Sequence, residues 1–191
     1  MPKENIVRPD GETFEVHFLQ RWPNIGDLMY LQCIRSGTCK ENSAAAQHYR
    51  AKRWKYVDEL AELIESAGLQ YDAVVSPPSS RTDAVPYRDK LLRTGVLDLS
   101  DRFKRVDGIS AGHGATVDEL IAATEYAAAG DEGDISSLLF VDDSVSKGTT
   151  IAAILHHLRK AGLPLDCKIV VATAVRLPTD DTKNAAKVAV K

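Results

Sequence analysis

The sequence predicts an α/β fold: a mostly parallel central sheet flanked by helices, with a small N-terminal hood or hairpin. Three short, nearly continuous apolar runs carry this reading: YDAVVS (71–76), SLLFV (137–141) and KIVVATAV (168–175). Strands buried on both faces have this pattern. The runs alternate with stretches of helical period, the order that builds parallel sheets. Size agrees, because 191 residues at 44% hydrophobic composition can bury one core without metal or disulfide staples. Residues 1–191 are therefore expected to form a single domain, with 1–40 a hood or cap and 70–176 the core.

The elements follow in order. RPDGET is a turn signal inside Ile6 to Gln20, so this stretch predicts a hairpin, either at a sheet edge or as a small cap. Asn24 to Lys40 suggests a short helix. Ser43 to Ala67 predicts a long one. Ser43 stands as N-cap, Trp54, Val57, Leu60, Ala61 and Ile64 recur at spacings of three and four, and Gly68 ends the run. Thr82 to Leu92 predicts a helix starting near Asp83, with Pro86 tolerated in its first turn. Leu97 to Ala115 is polar and turn-rich, and its ISAGHGA stretch (109–115) reads as mobile. Thr116-Val-Asp-Glu119 is a capping-box pattern opening a helix to about Ala129. A helix beginning at Thr149 or Thr150 closes at Gly162. The tail after residue 176 is weakly patterned, and its lysines read as solubilising.

Composition excludes several classes. With 24 Lys plus Arg against 27 Asp plus Glu, the formal net charge is −3. A chain whose main partner is DNA or an anionic membrane needs clustered cations, so strong nucleic-acid binding is not expected. The apolar runs are far shorter than the roughly 20 residues a membrane span needs. The start, MPKENIVRPDGE, is polar and shows no targeting pattern. Cys33, Cys39 and Cys167 cannot all pair with one another, which suits a reducing cytoplasm. Cys33 and Cys39 are also too far apart for the tight pair of a zinc site, so no structural zinc is expected.

The stretch SLLFVDDSVSKGTTIAAILHHLRKAG (137–162) holds the chemistry. A buried strand runs into Asp142 and Asp143, then a hydroxyl-rich loop, then a helix. Ligands of parallel sheets bind beyond the strands' carboxyl ends. The Ser144–Thr150 loop lies against a helix N-terminus, whose unpaired N–H groups and dipole favour a phosphate. Gly148 permits close backbone approach, and Ser146, Lys147, Thr149 and Thr150 add donors. Two acids cannot help bind a phosphate. Adjacent ribose hydroxyls or Mg²⁺ suit them instead. Phosphate beside sugar hydroxyls describes a 5-phosphoribosyl group. The Walker A order is absent, since Lys147 precedes the Gly. The bland alternative is an Asp pair capping a loop before an ordinary helix start.

VDDSVSKGTT (141–150) resembles the phosphoribosyl pyrophosphate motif of type I phosphoribosyltransferases, and the layout of residues 70–176 is most similar to the competence-associated branch of that family. The resemblance implies that Asp142 and Asp143 hold the ribose hydroxyls and favour positive charge at the reacting carbon. It implies that Ser146, Lys147, Gly148, Thr149 and Thr150 hold the 5′-phosphate. It places the pyrophosphate on the loop after an earlier strand, here Ser79, Ser80 and Arg81 within VVSPPSSRTDA (74–84); the bland reading of that loop is a proline turn with an exposed Arg. A flexible central loop closes over the pyrophosphate in this family, which makes Lys104, Arg105 and His113 lid candidates within RFKRVDGISAGHGA (102–115), otherwise a solvated connection. Many purine-using members carry an acid where this chain has Ser146, so purine salvage is the less secure assignment; Thr is common where it has Lys147, which would add charge to the 5′-phosphate or point into solvent.

The resemblance thus implies a cytoplasmic glycosyltransferase of nucleotide metabolism. It would use 5-phosphoribosyl 1-pyrophosphate and Mg²⁺ carried by the ligand, with Asp142 or Asp143 touching the ion through water. The acceptor would be a nitrogenous base or amine, and a homodimer is open. Two alternatives use the same pocket: a non-catalytic regulator binding a phosphoribosyl metabolite or nucleotide, and a nucleotide hydrolase. His156 and His157 are adjacent on one helix and do not face each other, so a shared metal site there is not expected. The helix bearing Tyr49, Trp54 and Tyr56 reads as core and cap packing rather than a base-stacking platform.

Overall fold

The computed structural model describes residues 2–7, 11–21, 44–78, 84–106 and 114–177. Their elements are β1 (Lys3–Val7), β2 (Thr13–Arg21), α1 (Ala44–Ser66), β3 (Ala73–Val75), α2 (Val85–Leu91), β4 (Leu97–Asp98), β5 (Phe103–Arg105), α3 (Val117–Ala122), β6 (Thr124–Tyr126), β7 (Ser137–Val145), α4 (Thr149–Lys160) and β8 (Lys168–Arg176). The Asn24–Lys40 helix, the Ser43 cap, Cys33, Cys39, the Thr82–Asp83 helix start, His113 and the tail beyond residue 177 lie outside the described residues.

Six strands form one mixed sheet in the order β1-β2-β8-β7-β3-β4. β2, β8, β7, β3 and β4 all run parallel, and only β1 is antiparallel. The chain is therefore α/β with a mostly parallel sheet flanked by helices. The N-terminal hairpin is real, and its place is now set. β1 pairs Lys3↔His17 through Val7↔Thr13, and β2 continues into the sheet beside β8. Gly11, at φ 87°, takes the left-handed turn position that a side chain disfavours. Residues 3–7 and 13–21 thus extend the sheet rather than standing over it.

Two apolar clusters cover the two faces. On one, Tyr56, Val57, Leu60 and Ile64 of α1 and Tyr87 and Leu91 of α2 pack against Leu139, Val141, Val170 and Ala172. On the other, Ile151, Ile154, Leu155 and Leu158 of α4 pack against Phe14, Val16, Phe140 and Val171. Leu139/Val141 and Leu138/Phe140 divide between the faces as strand alternation requires. Trp54 departs from the expected stripe, being 58% exposed with the Arg53 guanidinium 5.6 Å from its ring centroid. At roughly 100° per residue, Tyr56, Val57, Leu60 and Ile64 share an arc that Trp54 falls outside. Among the described residues no helix is long and apolar enough to cross a membrane.

The stretch expected to be a loop is partly ordered. β4 joins the sheet edge through Ala73↔Leu97 and Val74↔Asp98, and β5 pairs antiparallel with β6. The capping box at Thr116 and Glu119 forms, but its helix stops at Ala122 instead of reaching Ala129. Tertiary partners override the alanine-rich local preference there. The Tyr126 ring lies 4.4 Å from that of Phe103, and its hydroxyl donates to Glu132 at 2.5 Å. Arg102 grips Asp131 through two bonds of 2.5 and 2.8 Å and reaches Glu132 at 3.0 Å. The backbone N–H groups of Ala129 and Gly130 complete the shell around the Glu132 carboxylate.

Glu132 is fully buried. Burial pushes its carboxyl up, but the Tyr126 hydroxyl and the backbone donors outweigh it and hold the group down at about 2. A depressed carboxyl stabilises the fold above its ordinary value of about 4.5, and that contribution is lost as pH falls toward 2. Glu132→Gln should therefore flatten the decline of the urea midpoint between pH 4.5 and 2 relative to the parent chain. Leu60, at 0% exposure, should lose about 2–5 kcal/mol as Leu60→Ala. Trp54→Ala should change stability by about 0.5 kcal/mol or less. Denaturant titration of the two variants side by side checks the assignment of the helix faces.

Candidate active site

The sheet reverses its winding at β7. From β3 the chain moves outward to β4 by way of α2. From β7 it moves the other way to β8 by way of α4, on the opposite face. The crevice between β3 and β7 is thus the topological switch point, where parallel sheets bind ligands at their carboxyl edge.

Strand lengths open that crevice. β3 ends with Val75 opposite Phe140, while β7 continues to Val145, so residues 141–145 of β7 have no β3 partner. Pro77 and Pro78 follow β3, and proline has no N–H for a ladder. Ser76 turns away, its N–H donating to Ser100 Oγ at 2.9 Å. On its other side β7 stays paired with β8 through Asp142↔Thr173, Ser144↔Val175 and Val145↔Arg176.

Asp142 and Asp143 lie in this overhang. The sequence placed them at the carboxyl end of the strand, before a loop starting at Ser144; the structure carries the strand through both acids to Val145, because β8 continues to supply ladder partners. Both are nearly buried, at 9% and 7% exposure. Buried carboxylates require polar partners. The Asp143 N–H donates to Asp142 Oδ1 at 2.8 Å, and Ser144 Oγ donates to Asp143 Oδ1 at 3.0 Å.

After Val145 the chain turns through Ser146, Lys147 and Gly148 into α4. Ser146, Thr149 and Thr150 are half-buried, Lys147 is exposed and Gly148 is buried. Gly148 is the N-cap at φ 77° and supplies no side-chain acceptor, so no side chain caps the amides of the first helical turn. Such a helix start retains N–H donors for an anion. A Cβ on Gly148 would sit 3.1 Å from Phe14 Cζ, which holds the turn close against β2.

The structure brings Asp142, Asp143, Ser146, Lys147, Gly148, Thr149 and Thr150 onto one strand–turn–helix unit. Ser79, Ser80 and Arg81 lie outside the described residues, as does His113. Lys104 and Arg105 do not lie in a mobile loop. Both belong to β5, opposite Glu125 and Thr124, in the separate two-stranded sheet. β-Pairing and the Phe103–Tyr126 contact order that segment. His156 is exposed and His157 is half-buried with Nε2 3.2 Å from the Ile121 carbonyl. A cavity of about 810 Å³ between α3 and α4, which His156 helps to line, shares no residue with the acids or the turn.

Sequence reasoning missed Arg176, the residue after the last apolar run. Its Nη1 lies 3.1 Å from the Val145 carbonyl and 2.6 Å from those of Ser146 and Leu177. Its Nε donates to Glu4, which also accepts from Arg21. Burial, and then the nearby Arg21 charge, push its guanidinium down to about 10. Its proximity to the turn follows from the Val145↔Arg176 register, which local pattern does not reveal.

Neither a protein-family model nor a curated protein sequence matches the chain. Gly148→Ala should cost about 1–2 kcal/mol, because a side chain in the left-handed region is strained. The 3.1 Å contact with Phe14 adds to that cost. A lowered denaturation midpoint is the expected reading.

Proposed function

We propose that the chain is a type I phosphoribosyltransferase that transfers the 5-phosphoribosyl group from 5-phosphoribosyl 1-pyrophosphate to a nitrogenous base or amine. One observation carries the reading. The acids of VDDSVSKGTT occupy the β7 overhang at the switch point, and the same motif turns directly into a helix start that no side chain caps. Sugar hydroxyls need carboxylate acceptors, and a phosphate needs backbone donors. This unit offers both in the order the ligand requires.

In this proposal the 5′-phosphate lies against Ser146, Lys147, Gly148, Thr149 and Thr150. The ribose diol donates to Asp142 and Asp143 across the open flank of β7. The bond from the anomeric carbon to the pyrophosphate oxygen breaks, and its electron pair leaves with pyrophosphate. The two carboxylates favour the positive charge that develops on the sugar. A nitrogen lone pair of the acceptor then forms the new bond, and that nitrogen gives up a proton to solvent. The resemblance assigns the departing pyrophosphate to Ser79, Ser80 and Arg81, which follow β3 in sequence.

Mg²⁺ suits the donor set. Among the described residues no group of three or more acidic, Cys or His side chains could hold a metal by itself. Mg²⁺ is commonly held by one or two carboxylates, waters and substrate phosphates. Asp142 or Asp143 would hold it through water, and the ion would supply charge neutralisation for the leaving pyrophosphate.

The test combines Mg²⁺, 5-phosphoribosyl pyrophosphate and a panel of bases and amines, with pyrophosphate release as readout. Acceptor-dependent release is expected. Binding without release would point to a regulator, and free base from nucleotides to a hydrolase. The double variant Asp142→Asn, Asp143→Asn should keep the fold and lower ligand affinity about tenfold or more, because each lost charge-assisted hydrogen bond is a strong one. Unchanged affinity would defeat the site assignment.

A further inference from the structure

We infer that Arg176 is the positioning residue of the Ser146–Thr150 turn, bracing its backbone from the end of β8 and tying it to the N-terminal hairpin through Glu4. The consequence for ligand binding rests on the phosphoribosyl reading; the brace itself does not. The guanidinium is 7% exposed, so it acts inside the protein rather than on solvent. Its Nη1 meets the carbonyls of Val145 and Ser146, the two residues at which β7 becomes the turn. A third carbonyl, of Leu177, fixes the guanidinium to the strand that carries it.

Two further features make this a brace rather than a chance contact. The Val145 carbonyl accepts the Leu177 N–H at 2.8 Å as its last ladder bond, and the Ser146 carbonyl lies beyond the β7–β8 ladder, where a partly buried acceptor needs a donor. Arg176 supplies donors to those carbonyls. The guanidinium is itself anchored, because Glu4 on β1 accepts from both Arg176 and Arg21. β1, β2, β8 and the turn are thereby joined across the carboxyl edge of the sheet. Lysine cannot replace this arrangement, since its ammonium is a point charge without the planar fork.

The brace also aims the turn. With Val145 and Ser146 held by their carbonyls, the turn brings Gly148 beside β2, so close that a Cβ there would sit 3.1 Å from Phe14 Cζ. From there the first turn of α4 begins. The backbone donors assigned to the 5′-phosphate therefore have an orientation set by a residue that need not touch the ligand.

Arg176→Lys and Glu4→Gln, each in the full chain, test this by amide hydrogen exchange and by titration with ribose 5-phosphate. In Arg176→Lys, exchange of the Leu177 N–H, which donates to the Val145 carbonyl, should rise about tenfold, the loss of roughly one hydrogen bond to a charged group, while residues 151–158 of α4 keep their protection. Affinity for ribose 5-phosphate should fall by a similar factor. Glu4→Gln keeps the guanidinium and loosens its anchor, so the same changes are expected at smaller size, and it serves if Arg176→Lys does not fold. Unchanged exchange of the Leu177 N–H in a folded variant overturns the inference. Loosening of the turn in a protein whose parent chain does not bind ribose 5-phosphate supports the brace and rejects the phosphoribosyl reading.

Discussion

The ladder between β7 and β8 runs from Ser137↔Lys168 to Val145↔Arg176, and the other elements take their places from it. It is long because both strands are apolar enough to be buried on both faces, from Leu138 to Val141 and from Ile169 to Ala172. β3, β7's other neighbour, is short because two prolines end it. The difference in length opens the crevice. It leaves a stretch of β7 without a β3 partner, and that stretch carries the acids.

Charge placement at this edge follows from the same ladder. Asp142 and Asp143 are held inward by a strand that continues to Val145, so their carboxylates are desolvated and rely on neighbouring donors. Carboxylates in such a setting interact more strongly with a developing positive charge than exposed ones do, because the local dielectric is lower. Arg176 reaches the edge from the opposite strand of the same pair, and its partners are backbone carbonyls and Glu4. The acids lie on the part of β7 that outruns β3, and the buried guanidinium meets the carbonyls of the turn.

The small β5–β6 sheet solves a different problem. Phe103 belongs to the α4-face cluster, and its segment must be held over that face. Arg102, Tyr126, Asp131 and Glu132 fasten it with hydrogen bonds around one buried carboxylate. This fastening orders residues 103–105 and 124–126, which local composition described as loop and helix.

The N-terminal hairpin, β3, β7 and β8, the α1 and α4 helices and the capping box were legible in the sequence because each is written in nearby residues: apolar runs, spacings of three and four, and Thr116 with Glu119. So was the VDDSVSKGTT unit, since a strand, two acids, a glycine turn and a helix start are contiguous. Trp54, the early end of α3 and the β5–β6 pairing were not, because each depends on a partner far along the chain. Arg176 shows the difference most clearly. Its position after an apolar run says that a strand ends there, and nothing local says that the strand ends beside Val145. The sequence by itself determined the α/β class and the chemical character of one loop. The tertiary structure alone decided that β7 outruns β3 and that a buried guanidinium meets the carbonyls of the turn. Strand register is a relation between distant segments, fixed when they pack.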